Sequence, residues 1–122
     1  MTQEEKDLVL KDLCARLPYD VKVNCNDKAY NFAGIHSFNI CILSDDNEDN
    51  AFTTAGIKYI KPYLFPLSSM TEEQKKEEYE ICKEFIIGYE SNLIDFYNKY
   101  HLDYRGLIPK DLAIDATGKN IY

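Results

Sequence analysis

The sequence predicts an α+β fold: an N-terminal helix, a small SH3-like curled antiparallel sheet and a helical C-terminal part. Three observations carry this expectation. Apolar residues recur at steps of three and four up to Leu17, alternate between residues 19 and 66, and return to helical spacing between residues 71 and 101.

The first helix is predicted over residues 3 to 16. Thr2 followed three residues later by Glu5 forms a capping box, in which each side chain satisfies the other's backbone N–H. Leu10, Leu13, Cys14 and Leu17 then share one face, while Glu4, Asp7, Lys11 and Asp12 stay polar. Pro18 ends the pattern, because its ring cannot continue a helix.

The β unit spans residues 19 to 66. In "VKVNC", Val21, Val23 and Cys25 point one way and Lys22 and Asn24 the other. Asn26 and Asp27 supply turn chemistry. "KAYNFAGIHSF" alternates through Tyr30 and Phe32, with Gly34 marking a bend or bulge. "NICIL" is a short apolar strand, and "AFTTAGIKYI" reads as one or two more, with Gly56 a second bend. Pro62 and Pro66 are expected to exclude a central strand and to leave a 3₁₀ turn and an exit segment. A unit of roughly 45 residues makes a marginal core alone, so the chain is read as a single domain.

The second helical region opens on another capping box, Thr71 with Gln74, and Glu72 and Glu73 suit the positive end of the helix dipole. Tyr79, Cys82, Phe85, Ile86 and Tyr89 form a stripe that should pack, opposite a solvated acidic face. Gly88 is expected to break or kink the helix, with Ser91 as the cap of a restart, and Leu93, Ile94, Tyr97 and Tyr100 carry the stripe to His101. Turns follow at Gly106 and Pro109, then a short strand or turn near Leu112 to Ile114. The tail from residue 117 to 122 is expected to fray.

A net charge of −7, from 21 acidic and 14 basic residues, repels phosphates and anionic lipid. The densest basic feature, Lys58 and Lys61 beside Tyr59 and Tyr63, is too small to reverse that field. Direct nucleic-acid binding is therefore argued against. No apolar run approaches the roughly 20 residues needed to span a bilayer, so no membrane partner is expected. The N-terminus is acidic where a secretory signal is basic. Cys14, Cys25, Cys41 and Cys82 contain no C-x-x-C pair and read as reduced, mostly buried thiols, consistent with a cytoplasmic setting.

Two stretches invite a chemical reading. The run "CILSDDNEDNAF" places Asp45, Asn47 and Asp49 at the first, third and fifth positions of a calcium loop. The twelfth position, however, is Gly56, which has no carboxylate, and the flanks read as strands. A solvated hairpin loop explains the residues without a metal. In "YHLDYRG", His101, Asp103 and Arg105 gather a base, a carboxylate and a guanidinium. A helix C-cap explains the same residues, since cations favour the negative end of a helix. His36 reads as a solvent-facing strand residue. No phosphate loop, nucleophile elbow or metal-spaced Cys/His cluster occurs, so no cofactor is expected and an enzyme is argued against. The ten tyrosines suit recognition, since the ring packs and the hydroxyl bonds. Tyr59, Tyr63, Tyr97, Tyr100 and Tyr104 are the candidate binding residues.

The stretches "KDLCARLPYDVKV", "IKPYLFPLSSMTEEQKKE" and "DYRGLIPKDLAID" together resemble a group of short uncharacterised proteins encoded by gut-bacterial phages and mobile elements. That group has no assigned activity, so the resemblance implies a bacterial or phage context and no functional residues. A second histidine often stands there where this chain has Tyr100, which counts against histidine-based chemistry here. The expected function is a non-catalytic interaction protein that binds another protein. The alternatives are an acidic nucleic-acid-mimicking inhibitor of a host nuclease and a small enzyme built on His101, Asp103 and Arg105.

Overall fold

The computed structural model describes residues 1–37, 39–45, 51–83 and 89–122. Helix α1 (Gln3–Arg16) opens on the expected box: Glu5 N–H donates to Thr2 Oγ1 at 3.1 Å and Thr2 N–H to Glu5 Oε1 at 2.9 Å. Its buried stripe differs from the apolar one. Val9, Asp12, Leu13 and Arg16 face inward, whereas Cys14 and Leu17 are exposed. Asp12 and Arg16 enter the core together because each neutralises the other, with Arg16 Nε donating to Asp12 Oδ2 at 2.9 Å.

Six strands form one open sheet: β1 (Lys22–Cys25), β2 (Lys28–Ser37), β3 (Ile40–Asp45), β4 (Ala51–Gly56), β5 (Lys61–Leu64) and β6 (Ile114–Asp115), in the order β4-β3-β2-β1-β5-β6. Asn26 and Asp27 both take left-handed conformations, which gives the β1–β2 hairpin a turn whose twist matches its strands. A register shift between Phe32 and Gly34 is the expected bulge. Five strands pair antiparallel, but β6 joins β5 in parallel, so the sheet is mixed.

Pro62 lies within β5, a central strand, against the sequence expectation. The direction of its nitrogen explains this. Leu64 C=O accepts from Ala116 N–H on the β6 side, and by alternation Pro62 faces that same side. Pairing with β6 begins one residue later, at Tyr63 with Ile114, so the proline removes no rung.

Alternation gives the sheet two unlike faces. Val23, Cys25, Phe32, Cys41 and Leu43 are buried in one cluster with Val9 and Leu13 of α1, closed at its end by Leu107, Leu112 and Ala113. Lys22, Asn24, Asn31, Ile42 and Ser44 lie on the other face and are only half-buried. Helices α2 (Glu72–Lys83) and α3 (Tyr89–Lys99) pack side by side beyond the sheet. Thr71 and Gln74 cap α2 as expected. Tyr79 of the predicted stripe is exposed, however, and Ser91 lies inside α3 rather than at its cap. Phe85, Ile86 and Gly88 lie outside the described residues. No described helix is long and apolar enough to cross a membrane.

Candidate functional site

His101 ends α3 in a left-handed conformation at φ 56°. Its N–H reaches Asn98 C=O and the N–H of Leu102 reaches Tyr97 C=O, closing the helix as a glycine would. The chain then runs beside β5: Phe65 N–H donates to His101 C=O and Asp103 N–H to Phe65 C=O, both at 2.8 Å.

The three residues of the weighed catalytic set are engaged separately. Asp103 accepts the N–H groups of Leu107 and Ile108 at 2.8 and 2.9 Å and so builds the following turn. Arg105 Nη1 donates to Asp12 Oδ1 at 3.0 Å. Asp12 also holds Arg16, whose Nη2 donates to Leu102 C=O at 2.6 Å. Both guanidinium groups lie near the Tyr104 ring, at 4.6 Å for Arg105 and 5.3 Å for Arg16. The pair Asp12 and Arg16 thus bolts α1 to the loop after α3. The sequence reading sets Asp12 on a polar helix face and gives Arg16 no role, because the partners that draw both inward lie far along the chain.

His101 stacks on Tyr122, with ring centroids 3.8 Å apart and planes inclined by 13°. The tail expected to fray is therefore clasped. On its β1 side, β5 changes partner between Pro62, opposite Val23, and Phe65, opposite Leu102. Tyr63 falls in the gap, and the Tyr122 hydroxyl fills it. That hydroxyl accepts Lys22 N–H at 3.0 Å and donates to Tyr63 C=O at 2.7 Å, standing in for a missing rung. Burial, and then the charge of Arg16, lower the His101 pKa to about 4, so the ring is neutral at pH 7. Desolvation of the inward-pointing hydroxyl pushes the Tyr122 phenol up, although the residue as a whole is 42% exposed. Two depressions, of about 370 and 680 Å³, flank this stack and share it as a wall. The first is lined by Phe65, Ser69, Thr71 and Tyr100 among others, the second by Tyr19, Asp20, Asn31 and Ser44. With the phenol committed to two backbone groups and the imidazole neutral, the arrangement acts as a clasp rather than as an acid–base pair.

The candidate tyrosines are mostly inward. Tyr63 is 7% exposed and its hydroxyl accepts from Asn24. Tyr97 and Tyr100 donate to Glu78 and Glu77 at 2.6 and 2.8 Å, which ties α3 to α2. Burial and then the Glu78 bond push the Tyr97 phenol up, and the Glu77 bond does so at Tyr100. Tyr104 stacks on Tyr97. Tyr59, at 60% exposed, is the member that faces solvent, with the Lys58 ammonium 5.0 Å from its ring.

Of the calcium-loop candidates, Asp45 is buried and paired with Lys28, and Asn47 and Asp49 lie outside the described residues. No cluster of three or more metal-binding side chains occurs among the described residues. His36 is exposed on β2, and all four cysteines are free thiols, with Cys25 and Cys41 buried.

The remaining feature is the open face of the sheet. From β1 to β4 it presents Lys22, Asn24, Asn31, Ile42, Ser44, Phe52 and Thr54, with Phe52 65% exposed. Its sequence signal is the outward half of each alternation, which carries one lysine and no carboxylate. Comparison with family models, curated proteins and solved structures gave no match.

Proposed function

We propose that the chain is a non-catalytic interaction protein of phage or mobile-element origin, which binds another protein through the open face of its sheet. The observation that carries this reading is the chemistry of that face. In a chain of net charge −7, the outward residues from β1 to β4 named above include one lysine and no carboxylate. Amides, hydroxyls, an isoleucine and an exposed phenylalanine are the make-up of a surface that docks protein, where charge is depleted at the centre. A phosphate backbone would want a basic face instead.

The rival readings find less support. A nucleic-acid mimic needs its carboxylates arrayed outward, yet Glu77 and Glu78 turn toward α3 and Asp45 is buried. An enzyme on His101, Asp103 and Arg105 needs those groups to converge, yet Asp103 and Arg105 are bonded elsewhere and the His101 ring is stacked on Tyr122. The test is affinity capture from a gut-bacterial host extract with the native chain and with Ile42→Lys, a charge set in mid-face. One protein enriched on the native chain and lost on the folded variant is the expected result. Equal capture by both refutes the open-face reading.

A further inference from the structure

Strand β4 ends the sheet, and nothing among the described residues pairs with its outer side. Edge strands are normally guarded by charge, proline, shortness or a covering element. The opposite edge, β6, is two residues long. By contrast β4 has six residues, "AFTTAG", with no charge and no proline, and Phe52, Thr53 and Thr54 are exposed.

The outward groups can be assigned. Ile57 N–H donates to Asn39 C=O, one rung beyond the pair Ile40–Gly56. Hydrogen-bonded rungs alternate in an antiparallel ladder, so Ala51, Thr53 and Ala55 face β3. Phe52, Thr54 and Gly56 therefore turn their N–H and C=O groups outward.

We infer that β4 pairs antiparallel with β4 of a second copy of this chain, about a two-fold axis through Thr54. Two features select that occupant. The outward residues are symmetric about Thr54, so a two-fold there satisfies all of them with about six backbone hydrogen bonds. The same register sets Phe52 opposite the partner copy's Gly56, which bears no side chain. The Tyr59 ring already lies 3.5 Å from where a Gly56 Cβ would stand. Two exposed rings, one at each end of the strand, thus meet across the axis, and phenylalanine over an edge glycine is a stabilising cross-strand pair. The dimer joins two open faces into one platform, and its existence does not depend on any host partner.

Sedimentation of the purified chain from about 1 to 300 μM tests this over the range where an interface of this size associates. A concentration-dependent monomer–dimer equilibrium is expected. Thr54→Pro removes an outward N–H but no rung to β3, and it should leave a folded monomer by circular dichroism. Phe52→Lys, a milder surface change, should weaken association at least tenfold while melting like the native chain at concentrations where both are monomeric. A native chain that stays monomeric throughout overturns the proposal. So do assembly beyond a dimer and dimerisation unaffected by folded Phe52→Lys.

Discussion

Replacing Tyr122 by Phe removes one oxygen and keeps the ring. The stack on His101 and the contact with Phe65, at a centroid distance of 5.8 Å, need only that ring. What disappears is the bridge between Lys22 N–H and Tyr63 C=O, where β5 passes from one pairing partner to the next. The phenylalanine ring still covers the gap and hinders water from replacing the hydroxyl. An unsatisfied buried backbone group costs about 1–3 kcal/mol, and the Lys22 side of this gap is exposed enough to favour the low end. A loss of about 2 kcal/mol follows for the two groups together. Unfolding entropy of roughly 2.1 cal/mol/K per residue gives about 0.26 kcal/mol/K for this chain, so Tm should fall by about 8 °C. Thermal unfolding by circular dichroism reads that shift, and amide exchange by NMR reads its cause. The Lys22 amide should lose protection while Val23 and Asn24 keep theirs. A Tm within about 2 °C of the native value refutes the reasoning. A lower Tm with Lys22 still protected does so equally.

Two further perturbations probe the same end of the fold. His101 takes up its proton near pH 4 in the folded chain and near 6.5 when unfolded, so between these values the unfolded state binds more protons. Stability is complete above pH 6.5 and drains as pH falls toward 4. Discounted for the solvent that reaches a half-buried ring, the loss is of order 1–2 kcal/mol. Urea unfolding across that window should show the slope in the native chain, and His101→Asn, which tolerates the left-handed backbone, should lack it; parallel slopes would exclude His101 as the source. Asp12→Asn leaves Arg16 buried without its counter-charge and should cost about 3–5 kcal/mol. The double change Asp12→Leu with Arg16→Met should recover much of that by urea unfolding, and a double variant as unstable as the single one would contradict the bolt described between α1 and the loop after α3.

The parts of this fold legible in the sequence are those whose causes lie within a few residues. Both capping boxes join groups three positions apart, and both form as read. The alternation through Val23, Cys25, Cys41 and Leu43 is local too, and it separates the buried face from the open one. What escaped has causes far along the chain. The Tyr122 hydroxyl serves an amide 100 positions away, and Asp12 answers Arg105 across 93. Nothing near either residue distinguishes it from a solvated one.

Pro62 shows how a local rule can mislead. The rule that proline avoids central strands concerns one missing donor, and it applies only where a neighbouring strand would use that donor. Whether one does depends on where Ile114 begins to pair, some fifty residues later in the chain. The same dependence governs β4. Its lack of charge is visible in "AFTTAG", but the same six residues in the middle of the sheet would be an ordinary buried strand. Only the order β4-β3-β2-β1-β5-β6 leaves them at the edge, and an uncharged strand becomes a surface for a partner through that position.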